Sequence, residues 1–178
     1  MKYCYECGTK LTEKFLENEG MIPYCETCQE FRFPIFSTAV SMEIFNPEKD
    51  KVLLIQQYGK KRNILVAGYV NKGESAEHAM VREVMEEVGL HVVEYKFNRS
   101  EYFEKSNTLM LNFASIVDSD DLGGMTPEVD DAAWYTPEEA REAITHGSLA
   151  EKFLLSWLEK REYYDKNYDT WKFDGREE

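Results

Sequence analysis

The body of the chain opens on apolar runs of short period. STAVSMEIF (37–45) and KVLLIQQY (51–58) read as strands joined by the turn-like NPEKD, and NILVAGYV (63–70) is a third, partly β-branched run. The pattern then changes period. Ala76, Ala79, Met80, Val81, Val84 and Val88 recur at helical spacing, between Ser75 as N-cap and Gly89 as the C′ residue. HVVEYKFN (91–98) and LMLNFASIV (109–117) return to strands, DSDDLGGM (118–125) is a loop, and AAWY (132–135) is a short strand. Two further helices carry capping boxes, Thr136-Pro137-Glu138-Glu139 and Ser148-Leu149-Ala150-Glu151. Behind the second box, Leu149, Phe153, Trp157 and Leu158 make an apolar face. Strands on both sides of a central helix, with helices closing the chain, predict an α/β/α sandwich around a mixed sheet. Pro34 separates this body (34–166) from a short, polar, cysteine-bearing segment (1–33), and residues 167–178 read as a polar tail with scattered aromatics.

Charge narrows the possible chemistry. The chain has 178 residues, 21 Lys and Arg against 34 Asp and Glu, and a net charge of -13. That balance argues against tight, sequence-independent nucleic-acid binding, which needs clustered cations on phosphates. A phosphate-bearing substrate would need metal ions or a few placed cations. No apolar run approaches the roughly 18 residues of a membrane span. The start MKYCYECGTK has no apolar signal-peptide region, so the expectation is a soluble cytoplasmic protein.

All four cysteines fall early, as Cys4-x-x-Cys7 and Cys25-x-x-Cys28. Each pair can bend into a knuckle with both thiolates facing one point, and two knuckles complete a tetrahedral site. Zn²⁺ is the expected ion, with iron in the same geometry as the rival. Four thiolates leave no open position for water, so the role expected is structural: folding a segment too small to fold by apolar burial alone.

The helix over 75–88 presents a second cluster. At about 100° per residue, Glu83, Glu86 and Glu87 fall within one arc of about 100°, beside the core stripe of Met80, Val84 and Val88. Like charges at this spacing cost roughly 0.2–0.5 kcal/mol per pair. A bound Mg²⁺ or Mn²⁺, which takes oxygen ligands and commonly shares them with phosphates, would offset that cost. Alone, such a stretch is usually a solvated Glu-rich face. Here it belongs to a longer pattern: Gly68-x5-Glu74-x7-Arg82-Glu83-Val84-x-Glu86-Glu87-x-Gly89-Leu90.

This pattern resembles the Nudix box throughout its 23 residues. The resemblance implies the same sandwich fold and hydrolysis of a nucleoside diphosphate linked to another group, X. It implies that Glu83, Glu86 and Glu87 bind divalent ions, joined by the carbonyl of Gly68. It further implies an Arg82–Glu74 ion pair that holds the loop and orients Glu83.

The likeness extends to roughly residues 1–165. The cysteine ribbon, EFRFPIF, the box, LMLNF and EVDDAAWY together resemble the NADH pyrophosphatase family, whose members cleave NAD(H) and in some cases remove NAD caps from RNA. That implies Glu128 as a further metal ligand or base, and a homodimer. Many members carry a larger domain ahead of the ribbon, where this sequence starts. A second departure concerns specificity. Where the family has Ser-Gln-Pro-Trp and a proline-aromatic-proline stretch, this chain reads Ser100-Glu101-Tyr102-Phe103-Glu104-Lys105-Ser106. Ser100 is kept, and Phe103 stands in place of the tryptophan as a candidate to stack on a base or nicotinamide. Glu101 and Glu104 would face an anionic dinucleotide poorly. NAD(H), ADP-ribose, diadenosine polyphosphates and flavin dinucleotides share the scissile bridge, and the base is Glu83 or Glu128. The alternatives are a non-catalytic sensor of ADP-ribose or NAD, and a role on capped RNA 5′ ends. His78, His91 and His146 lack metal-ligand spacing and read as surface or cap residues.

Overall fold

A computed structural model describes the backbone of residues 1–167 and the side chains through Arg161; the tail expected from 167 onward otherwise lies outside the described residues. The chain divides into two compact units, one from Met1 to Phe36 and one beginning at Ser37.

The first unit is an antiparallel sheet of β1 (Thr12–Leu16), β2 (Gly20–Cys25) and β3 (Glu30–Phe31), in that order. Its apolar core is thin: Cys4, Cys25 and Tyr24 are buried, while Phe15 and Met21 sit exposed opposite each other.

The second unit follows the expected layering. Its strands are β4 (Ser37–Phe45), β5 (Val52–Gln57), β6 (Val66–Tyr69), β7 (Val92–Phe103), β8 (Thr108–Val117) and β9 (Val129–Tyr135). They form one mixed sheet in the order β7-β8-β4-β5-β9, with β6 also pairing β4. The β4–β8 pairing is parallel and the others are antiparallel. Helix α1 (Ala76–Val88) covers one face, and α2 (Pro137–Ala143) and α3 (Leu149–Asn167) belong to the other. Alternation along β4 explains the two cores. Val40, Met42 and Ile44 pack with Met80, Val84 and Val88 of α1, whereas Phe45 packs with Phe153, Leu154, Trp157 and Leu158 of α3.

Several boundaries differ from the sequence pattern. Only Val66–Tyr69 of the third run is strand; Asn63 and Ile64 form isolated bridges to Ile144 and Ile55. β7 runs on to Phe103, so the 100–103 stretch is strand, followed by a 3₁₀ turn at Glu104–Ser106. Ser148 caps the amide of Glu151 at 3.0 Å, but the Glu151 carboxylate reaches back to the amide of Gly147 and to His146, each at 2.7 Å. The capping box at Thr136 and Glu139 is complete.

Candidate active site

Two glycines set the frame. A Cβ on Gly68 would lie 1.9–2.3 Å from the carboxyl of Glu83, so only glycine lets β6 pass this close to α1. Gly89 ends α1 at φ 70°, and a Cβ there would meet the carbonyl oxygen of Gly124 at 2.5 Å. The second contact seats the loop after β8 against the helix end. Thr126 reinforces it by donating its amide to the carbonyl of Glu87 at 3.1 Å. Glu128 follows two residues later.

Arg82 fans out at the centre. Its Nε and Nη2 donate to the two oxygens of Glu74 at 2.8 and 3.0 Å, and Nη2 also reaches the carbonyl of Tyr69 at 3.0 Å. Its Nη1 donates to Glu83 at 2.7 Å and to Glu86 at 2.8 Å. This guanidinium, with the amide of Asn71, holds the Glu74 carboxyl down to about 2. Loop and helix are thereby tied through one side chain.

Glu87 lies deeper, 5% exposed. Burial pushes its carboxyl up to about 7, and the charges of Glu83, Glu128 and Glu86 push the same way; the amide of Gln57 pulls part-way back. Among the described residues, Oε2 of Glu87 is buried without a hydrogen-bond partner. An orphaned acceptor among carboxylates fits a divalent cation.

These residues open on a cleft of about 520 Å³. Gly68, Arg82, Glu83, Glu87 and Glu128 line its acidic end; Ala39, Phe103, Ser106, Thr108, Met110 and Leu149 line its uncharged inner end. Glu86 is exposed and joins the cluster through Arg82. Ser100 lies apart. Alternation turns Arg99, Glu101 and Phe103 toward α3 and leaves Ser100 exposed on the opposite side of β7, while Ser106 and Thr108 stand on the cleft wall. Gln57, Tyr58, Tyr69 and Thr108 had no motif to mark them, and Leu149 read only as part of a capping box and a core face. The adjacency of Tyr69 to Gly68 was the one available signal.

In the first unit, the four cysteine sulfurs lie within 4.8 Å of one another. Cys4 and Cys28 are 3.9 Å apart and Cys7 and Cys25 3.5 Å. Arg32, 2% exposed, donates from Nε to Cys4 Sγ at 3.2 Å and holds that thiol down to about 6. Four soft donors converging on one point fit a tetrahedral thiophilic ion.

A model of the NUDIX domain matches residues 36–156. This chain belongs to the NUDIX family. The Nudix fold is also that of a crystal structure of a NUDIX hydrolase from Nitrosomonas europaea: TM-score 0.63 at 18% identity, covering 92% of this chain and 93% of that one. Among sequence relatives, the NAD-capped RNA hydrolase NudC of Vibrio parahaemolyticus is 26% identical over 157 residues, 86% of this chain and 58% of the relative's length. The chloroplastic Nudix hydrolase 19 of Arabidopsis thaliana is 30% identical over 152 residues, 80% of this chain and 34% of that protein. The chain thus spans little more than half the length of the first of these relatives and about a third of the second.

Proposed function

We propose that this Nudix protein is a divalent-metal-dependent pyrophosphohydrolase that cleaves the phosphoanhydride of a nucleoside diphosphate linked to X, with a dinucleotide of the NAD(H) type as substrate. The observation that carries the reading is the orphaned Oε2 of Glu87, buried beside Glu83 and Glu128 at the acidic end of the cleft. The names of the NudC relatives support the substrate class. The uncharged inner end, with Phe103 on its wall, offers a planar base a surface free of competing charge.

Glu83, Glu86, Glu87, Glu128 and the Gly68 carbonyl would hold Mg²⁺ or Mn²⁺. Such ions, when bound, neutralise phosphate charge and acidify water. The protein groups do the rest. Glu74 and the Tyr69 carbonyl fix the Arg82 guanidinium, which orients Glu83. Glu83 or Glu128 takes the proton of the attacking water, and the inner wall aligns the departing nucleotide. In the first unit, Cys4, Cys7, Cys25 and Cys28 would hold Zn²⁺ in a closed structural site.

The test is a substrate panel of NADH, NAD⁺, ADP-ribose, a diadenosine polyphosphate and a flavin dinucleotide with Mg²⁺ and with Mn²⁺. AMP and nicotinamide mononucleotide should be the preferred products. Glu87→Gln should lower kcat at least about 100-fold. Unchanged turnover of every dinucleotide in that variant would make the assignment wrong. Preference for ADP-ribose with NADH untouched would move the substrate away from NAD(H).

A further inference from the structure

The seam between β7 and α3 lies outside the carboxylate cluster, and its charged residues take no part in the chemistry above. On β7, Arg99, Glu101 and Phe103 alternate onto one side. On α3, Leu149, Lys152 and Ser156 are three and four residues apart and share one face. The two rows meet in order. Arg99 Nη1 donates to Ser156 Oγ at 3.5 Å. One step along, Lys152 Nζ meets Glu101 Oε1 at 2.8 Å, and Arg99 pairs with that same oxygen. One step further stand Phe103 and Leu149, both on the inner wall of the cleft. The far end of the seam is fixed separately: Asn98 Nδ2 donates to the carbonyl of Phe153 at 3.2 Å, and Lys160 Nζ donates to the carbonyl of Asn98 at 2.7 Å.

Glu101 therefore bears on the substrate differently from what its charge suggests. Its carboxylate is turned to α3 and shared between two cations, so it does not confront an anionic ligand. The bridge spans the two elements that carry these apolar lining residues, one strand repeat from Phe103 and one helical turn from Leu149. Two elements joined at this point resist splaying where the cleft is apolar. The turn after Phe103 is short and exposed, and Leu149 is the first residue of its helix.

We infer that the Arg99–Glu101–Lys152 ion bridge is a positioning device that sets the gap between Phe103 and Leu149, and with it the preference of the inner subsite for a planar ring. The inference rests on the proposed reading for what occupies that subsite. The bridge itself is part-exposed, with side-chain exposures of 36% for Arg99, 21% for Glu101 and 51% for Lys152. A pair so placed is screened by salt and has a modest effect.

The experiment uses the full chain with Glu101→Gln and Lys152→Met, and Lys152→Arg as the conservative control. Equilibrium dialysis without metal measures AMP and nicotinamide mononucleotide, which carry a ring, against ribose 5-phosphate, which does not. At least one ring nucleotide should bind about 2–5-fold more weakly to each disruptive variant. Ribose 5-phosphate should bind as to wild type, and Lys152→Arg should restore ring binding. KM for NADH should rise by the same factor at unchanged kcat. Raising the ionic strength from about 0.05 to 0.5 M should reproduce the shift in wild type and Lys152→Arg, and not in the two disruptive variants. Ring binding unchanged in both variants, or weakened equally with ribose 5-phosphate, overturns the inference. Because dialysis reads no turnover, it decides the bridge even if wild type hydrolyses none of the panel, a result that would sink the hydrolase reading alone.

Discussion

Glu87 and its neighbour Gln57 show how much of a candidate metal site is set by residues that would bind no metal. The three helix carboxylates were legible from spacing, because a helix puts positions three and four apart on one face. Gln57 was not. It reaches Glu87 because the β5–β9 register shifts between Gln56 and Gln57, and a shift in strand pairing leaves no trace in an apolar pattern. Gln57→Leu should weaken Mg²⁺ or Mn²⁺ activation about 10-fold or more, as a rise in the metal concentration giving half-maximal rate. A second buried acid lies on the α3 side of the sheet, where β4 turns Glu43 inward. Glu43 is 0% exposed, and among the described residues neither carboxylate oxygen has a hydrogen-bond partner. Burial raises its carboxyl from 4.5 to about 8, with Asn112 and Lys160 pulling part-way back. The fold therefore favours the protonated form. The stability this gives is complete below pH 4.5 and is lost as pH rises through 8, at roughly 1.4 kcal/mol per unit of pKa difference. Glu43→Gln should reduce that slope, seen as urea midpoints that fall less between pH 5 and 8, the remainder coming from Glu87, raised to about 7.

At the level of helices and strands, chemistry specific to an end was easier to read than chemistry specific to a length. Ser75, Gly89 and the Thr136–Glu139 box all cap as their types demand, since caps are local hydrogen-bond problems solved by neighbours in sequence. Thr136→Ala should cost about 1 kcal/mol in denaturant unfolding, with kcat unchanged. Gly89→Ala should cost more than about 2 kcal/mol, because it adds a clash with the Gly124 backbone to a left-handed φ, and it should also depress turnover by displacing the loop that carries Glu128. The reach of β7 was not legible. Its alternation is blurred by polar residues on an edge strand, and the full length exists because β8 offers ten residues to pair with. That extra length places Glu101 in the α3 seam and turns Ser100 away from the cleft.

Over the whole molecule, the two units answer to different forces. The segment through Phe36 buries little beyond two cysteines and one tyrosine among its apolar residues, so its order should depend on an ion that Cys4, Cys7, Cys25 and Cys28 would hold. A zinc chelator under reducing conditions should abolish the near-ultraviolet signal of Tyr24 while the main thermal transition persists. The larger unit depends on a long closure. The parallel pairing of β4 with β8 joins residues 71 positions apart, as Ser41 does with Asn112, and α1 with all its box glutamates lies inside that loop. Such pairings form slowly, because the chain entropy of closure precedes the contacts that offset it. Glu83, Glu86 and Glu87 can share a face as soon as α1 forms, but Glu128, beyond β8, joins them only once the sheet has closed, so the full set that would hold a cation belongs to the native side of the barrier. In stopped-flow refolding, Mg²⁺ should leave the folding rate unchanged and slow unfolding, so that the ion acts as a latch on a finished protein and gives no help in making it.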